Sequence, residues 1–271
     1  MLTLALSSWS LHRHLPYYGD GTWAPKREDA VIPLSEFPQI TRSFGIDQIE
    51  ICQTHLASAD PEYVRSVRAV VDAAGCRVLN VPIDVGNLAQ ADSAGREADR
   101  LRIMRWIDAA QILGSPAVRV NTGHVGEQSE SAALQHVIRG YQALAAYCAE
   151  KNMTLLLENH GGLSAAPATI VSLVRAVAAS NFRLSPDFGN FAADAREDGL
   201  RAMLPYAAIV HAKVLDVDES GRHTAFDLNR CLELVQESGY SGALSIEFEG
   251  NGDQLQGIAT AKRLIQAHLG V

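Results

Sequence analysis

Disulfide chemistry has little to work with in this chain. Its 271 residues include four cysteines, Cys52, Cys76, Cys148 and Cys231, and no Cys-x-x-Cys pair. That scatter excludes a disulfide-stapled scaffold and a thiolate zinc site, and it fits buried, reduced thiols in a cytoplasmic protein. Positive charge is also scarce: 23 Lys and Arg stand against 31 Asp and Glu, a net charge of −8. With no basic run, the dense phosphate neutralisation of a nucleic-acid partner is not expected. No apolar stretch reaches the length of a membrane span. The opening MLTLALSSWS lacks a basic leader region and reads as a first strand.

What is present is one alternation, repeated along the chain. Strand-like apolar runs fall near 2–8, 46–51, 76–82, 117–121, 153–158, 182–187, 208–214 and 243–248. Amphipathic helical patterns fill 61–74, 96–113, 130–151, 167–179, 226–238 and 254–268, with weaker ones at 33–44 and 196–204. Gly45, Gly75, Gly114 and Gly239 stand where helices should stop in the left-handed conformation. Eight strands alternating with eight helices predict a single (β/α)8 TIM barrel over 1–271; a doubly wound open sheet is the competing arrangement. The long segment 12–32 has the composition of a loop after the first strand, with Pro16, Trp23 and Pro25 able to shape a lid.

Parity along the strands locates a cavity. Side chains alternate faces, and a parallel sheet covered on both sides is normally apolar on both. Here one parity turns polar toward the strand ends: Gln48 and Glu50, Arg119 and Asn121, Glu158 and His160, Ser185 and Asp187, His211 and Lys213, then Ser245, Glu247 and Glu249. Four of these, Glu158, Asp187, His211 and Glu247, close four successive apolar runs. A buried strand gains nothing from ending on an unpaired carboxylate. Three carboxylates and one imidazole make a ligand set for one divalent ion, Mn²⁺ foremost, with Co²⁺, Mg²⁺ and Zn²⁺ as alternatives. The competing account makes them ion-pair partners of Arg119, Arg183 or Lys213.

A metal so held would polarise the carbonyl of a sugar and stabilise the enediolate left when the neighbouring proton departs. Glu158 and Glu247, from the fifth and eighth strands, would flank the substrate as base and acid, leaving Asp187 and His211 purely as ligands. Substrate contacts are expected from Glu50, His160, Asn190 and Lys213, and from Trp9 and His12 after the first strand. Alternatives stand beside these: a Glu50–Arg119 pair, ion pairs of Lys213 with Asp187, Glu247 or Glu249, and core packing of Trp9. Tyr17, Trp23 and Phe188 could also stack on a sugar. His12, His14, His55 and His124 lie in upper loops, where a histidine is usually solvated. Asn159, of opposite parity, should tie down backbone.

The segments LLLENHGG, LSPDFGNF, VHAKV and GYSGALSIEFEG, with LALSSWSLHRHL and GIDQIEIC, resemble the xylose isomerase-like barrel superfamily of sugar-phosphate isomerases and epimerases. The resemblance implies Glu158, Asp187, His211 and Glu247 as metal ligands, with the two glutamates as the acid–base pair. Two places depart from the ketose 3-epimerases: Asn190 stands for a substrate-contacting His, and Asp216–Asp218 for a substrate-binding Arg. The pattern His211-x-Lys213 is closer to inosose dehydratases. The endonuclease branch needs further His ligands that this chain lacks. The expectation is a metal-dependent isomerase or epimerase acting on a small carbohydrate, with no nucleic-acid or membrane partner and a homo-oligomer allowed. A lyase on an inosose or 3-keto-glycoside is the alternative, and a non-catalytic sugar-binding barrel a third.

Overall fold

The computed structural model describes residues 2–19, 26–28, 30–218 and 221–270. Eight parallel strands follow the predicted runs: β1 Thr3–Ser7, β2 Gln48–Glu50, β3 Arg77–Ile83, β4 Ala117–Val120, β5 Thr154–Glu158, β6 Phe182–Ser185, β7 Ile209–Val214 and β8 Ala243–Phe248. Between and after them run α1 Phe37–Ser43, α2 Pro61–Ala73, α3 Ser93–Leu113, α4 Glu130–Glu150, α5 Pro167–Val177, α6 Arg196–Met203, α7 Leu228–Glu237 and α8 Gln254–Leu269. The strands lie in the order β6-β5-β4-β3-β2-β1-β8-β7. Bridges Leu184–Ala207 and Asp187–His211 join β6 to β7 and bring the ring nearly to closure. The fold is a single (β/α)8 TIM barrel.

Local chemistry explains the punctuation. Asp60, Asp92, Asp227 and Asp253 cap α2, α3, α7 and α8 by accepting backbone N–H groups of the first turn. Gly114 ends α3 at φ 87°, a conformation that costs a residue with a Cβ. The outward parity of the strands, including Ile49, Ile51, Val118, Val120, Leu155, Leu157 and Ile246, is buried in the main core against the helices. Inside the barrel a separate small cluster of Ala117, Leu156 and Ile209, packed by Leu79 and Ala208, plugs the N-terminal end. The polar residues of the same parity therefore stack above an apolar floor, toward the C-terminal mouth where barrel sites form.

The segment after β1 folds back on itself. Tyr17 and Arg27 exchange two backbone hydrogen bonds of 2.8 and 3.0 Å, and Tyr17 is fully buried. Trp23 and Pro25, expected in a lid here, lie outside the described residues. His55 departs from expectation. It is fully buried rather than solvated, because this segment covers it and the carbonyl of Pro16 lies 2.6 Å from Nδ1. A carbonyl can only accept, so Nδ1 carries the hydrogen; burial pushes the ring pKa down to about 4.

Candidate metal centre and substrate cavity

Glu158 ends β5, Asp187 follows β6 by two residues, His211 sits mid-β7 and Glu247 near the end of β8. Each offers a ligand atom, and the four atoms lie within 4.8 Å of one another. All four side chains are buried, the most exposed being Glu247 at 8%. Their placement is enforced by backbone. Asn159 donates to the carbonyl of Asp187 at 3.0 Å and accepts from its N–H at 2.7 Å, locking β5 to the Asp187 loop. Asp187 Oδ1 then accepts the N–H groups of Gly189 and Asn190 at 2.7 and 3.0 Å. Its other oxygen, Oδ2, is buried and accepts no hydrogen bond. That oxygen has only the Lys213 ammonium at 3.5 Å as a counter-charge and faces two more carboxylates and an imidazole, a donor set that fits a divalent cation, so these four residues form a site able to hold a metal ion.

Electrostatics point the same way. Burial raises the pKa of Asp187 to about 8, with Glu158 and Glu247 adding to the shift and Lys213 opposing it. Burial also raises Glu247, against Lys213 and His211. For Glu158, burial is outweighed by His211 and Arg119, and the carboxyl is held well below its usual range. His211 is likewise disfavoured by burial, yet Glu50 and Glu158 lift it well above its ordinary value. Its Nδ1 lies 3.1 Å from a Glu158 oxygen and its Nε2 3.2 Å from a Glu50 oxygen, so each ring nitrogen faces a carboxylate.

Metal loading must expel protons from this cluster. A raised folded-state pKa on Asp187 adds stability below the unfolded carboxyl value, and that stability fades as pH rises through about 8. Metal has the opposite sign: it binds the carboxylate. Metal-induced stabilisation should therefore grow from pH 6 to pH 8. Melting curves with and without Mn²⁺ across that range test this; a flat or falling increment would contradict it.

The remaining expected contacts divide by depth. Trp9, His12, His160, Asn190 and Lys213 line a cavity of about 420 Å³ together with Glu158 and Glu247. Trp9 and His12 are stacked with centroids 4.9 Å apart, and the Trp9 indole donates to Glu249 at 2.7 Å. Asn190 bridges Glu158 Oε1, to which it donates at 3.1 Å, and Lys213, from which it accepts at 2.9 Å. Lys213 reaches Glu249, Glu247 and Asp187 at 3.1, 3.4 and 3.5 Å, so all three ion pairs weighed for it are present. Gly189 makes room for it: a Cβ there would lie 2.7 Å from Lys213 Cδ. Phe188 is wholly buried in the core.

Glu50 is not in the cavity wall. It is fully buried behind His211, held by Asn80 at 2.6 Å, and its carboxylate fixes the imidazole. Nor does it pair with Arg119, whose partners are Asp84 and Glu158. Removing a buried ion-pair partner leaves the other charge unmatched. Glu50→Ala should thus lower unfolding free energy by about 3–5 kcal/mol in urea titration, with Glu50→Gln milder; a loss under about 1 kcal/mol would show that the pair is dispensable.

Sequence reading missed Asp84. It follows β3, lines the cavity, and accepts from Arg119 and, at 3.0 Å, from Asn121. A carboxylate at the end of VPI was the available signal.

A family model described as the xylose isomerase-like TIM barrel matches residues 38–268. This chain belongs to that family. Among solved members of the xylose isomerase-like fold, an L-ribulose 3-epimerase superposes with a TM-score of 0.76 at 18% identity, covering 100% of this chain and 95% of that one. A xylose isomerase-like TIM barrel protein from Mycobacterium smegmatis, in complex with magnesium, gives 0.70 at 17% identity, covering 99% and 97%. At those identities the likeness is one of fold. A C-glycoside deglycosidase alpha subunit from Microbacterium trichothecenolyticum is 38% identical over 56 residues, 21% of this chain and 15% of that subunit. Among the described residues, no helix is long and apolar enough to cross a membrane.

Proposed function

We propose that this chain is a divalent-metal-dependent isomerase or epimerase of a sugar or sugar phosphate. The observation that carries this reading is the placement of Glu158 and Glu247. They come from β5 and β8, reach the cavity from different sides, and each brings a carboxylate oxygen within 4.8 Å of the other proposed ligands. With Asp187 and His211 they would hold one ion, Mn²⁺ in our reading. Bound there, the ion supplies Lewis acidity toward a substrate carbonyl and its neighbouring hydroxyl. One glutamate takes the proton from the carbon beside the carbonyl, giving an enediolate, and the other returns a proton on the opposite face. Arg119 and Asn190 hold the Glu158 carboxylate in place. Trp9 and His12 supply a flat wall for the ring, and the buried surroundings limit water near the reacting carbon.

A specific observation favours a second reading, lyase chemistry on an inosose or 3-keto-glycoside. Lys213 stands between Glu247 and Glu249, where an ammonium can protonate a departing oxygen after the same first step. The relative matched over 56 residues is named for removing a C-glycosidic group. A mass-resolved screen of keto-sugars and inososes separates the two. An isomer of unchanged mass supports the isomerase; loss of water or aglycone supports the lyase; no conversion of any compound defeats both.

A further inference from the structure

We infer that Asp84 is a positioning residue of the proposed metal centre: acting through Arg119, it keeps the Glu158 carboxylate available to the ion. The inference rests on the metal reading above and adds to it a carboxylate that binds no metal itself.

Three side chains from neighbouring strands form a row in the cavity wall. Asp84 follows β3, Arg119 sits in β4 and Glu158 ends β5, and these strands are adjacent in the sheet. Arg119 donates to Asp84 Oδ1, and its Nε lies 3.0 Å from Glu158 Oε2. The side chains of Asp84, Arg119 and Glu158 are 12%, 6% and 2% exposed, so solvent screens their charges weakly. Asp84 is itself pinned. Its Oδ1 also accepts from Asn121 at 3.0 Å, and its backbone N–H reaches the Gln53 side-chain oxygen at 3.4 Å. Yet Asp84 is not among the four residues whose ligand atoms converge within 4.8 Å.

Charge decides what this row does. Glu158 would be shared by two cations, the guanidinium beside Oε2 and an ion held with Asp187, His211 and Glu247. Like charges on one carboxylate repel, and the repulsion is strong where water is excluded. Asp84 supplies a second negative charge, so Arg119 is balanced from its other side. Without that charge, Arg119 would lean wholly on Glu158 and stand uncompensated beside the ion. Glu158 has little left to offset it: Asn190 donates to Oε1 at 3.1 Å, and His211 Nδ1 lies 3.1 Å from the same oxygen. The sign follows. The charge of Asp84 favours the ion, and its removal weakens binding.

The test titrates Mn²⁺ calorimetrically into chelator-treated wild type, Asp84→Asn, Arg119→Gln and the double variant. Asp84→Asn should weaken binding by about 10- to 100-fold, the range for a group that orients a metal ligand. In the Arg119→Gln background the same change should alter the Kd by no more than about twofold, since the residue it acts through is gone. Should Asp84→Asn not fold, Asn121→Ala takes its place, because it frees Asp84 to leave Arg119. The same pattern is expected of it, a loss that vanishes in the Arg119→Gln background. Undiminished affinity in the folded variant would overturn the inference. So would an equal loss in both backgrounds, which would put the action of Asp84 on the ion itself. A wild-type protein that takes up no Mn²⁺ would defeat the metal reading, and this inference with it.

Discussion

Glu158→Gln and Glu247→Gln are each expected to reduce deuterium exchange at the substrate carbon by about 10³-fold, within the range for losing a positioned acid or base. The amide keeps the shape and one oxygen for the ion, but it cannot take up a proton at neutral pH. The two variants should differ in their side effects. Glu158 is an anionic partner of both Arg119 and His211, so its loss leaves two buried cations undercompensated and should also lower stability. Glu247 accepts from Ser7 at 3.3 Å and pairs with Lys213, and Lys213 retains Asp187 and Glu249. Exchange rates measured beside urea unfolding distinguish catalytic loss from a damaged fold. Near-full turnover in either variant would remove that glutamate from the proton path.

Asp187→Asn should abolish metal binding while leaving the metal-free fold almost unchanged. Asparagine Oδ1 can keep the N–H groups of Gly189 and Asn190 that Asp187 Oδ1 accepts. Burial holds the Asp187 pKa up, to about 8, so an uncharged amide costs the metal-free fold little. The ion, however, loses an anionic ligand. At about 100 times its Kd, a ligand stabilises the native state by about 2.7 kcal/mol. In a chain of this size that corresponds to a rise of about 5 °C or more. The wild-type protein should show such a rise with Mn²⁺ and Asp187→Asn none, with metal-free midpoints within about 2 °C of each other. A full metal-induced shift in the variant would exclude Asp187 as a ligand.

The barrel was legible in the sequence because its signals are local. Each strand is a short apolar run, Gly45, Gly75, Gly114 and Gly239 all adopt positive φ, and every strand and helix falls at its expected place within a few residues. The convergence of Glu158, Asp187, His211 and Glu247 was legible too, since parity and position at a strand end say which side chains enter the barrel and at which end. Depth was not. Glu50 has inward parity, yet a register shift opposite β3 between Ile49 and Glu50 sets it against Asn80 beneath His211, and parity carries no record of a bulge. Asp84 escaped because β3 runs through Ile83, one residue past its expected end, so its carboxylate read as loop. His55 was misjudged because what buries it is the segment after β1, a contact 39 residues away in sequence.

The proposed centre joins Glu158, Asp187, His211 and Glu247 around one ion. Native mass spectrometry of chelator-treated protein titrated with Mn²⁺ tests it most directly. One ion per chain, lost in Asp187→Asn, is the result expected; a chain that takes up no ion at any concentration, or that binds one equally well after that substitution, would contradict it.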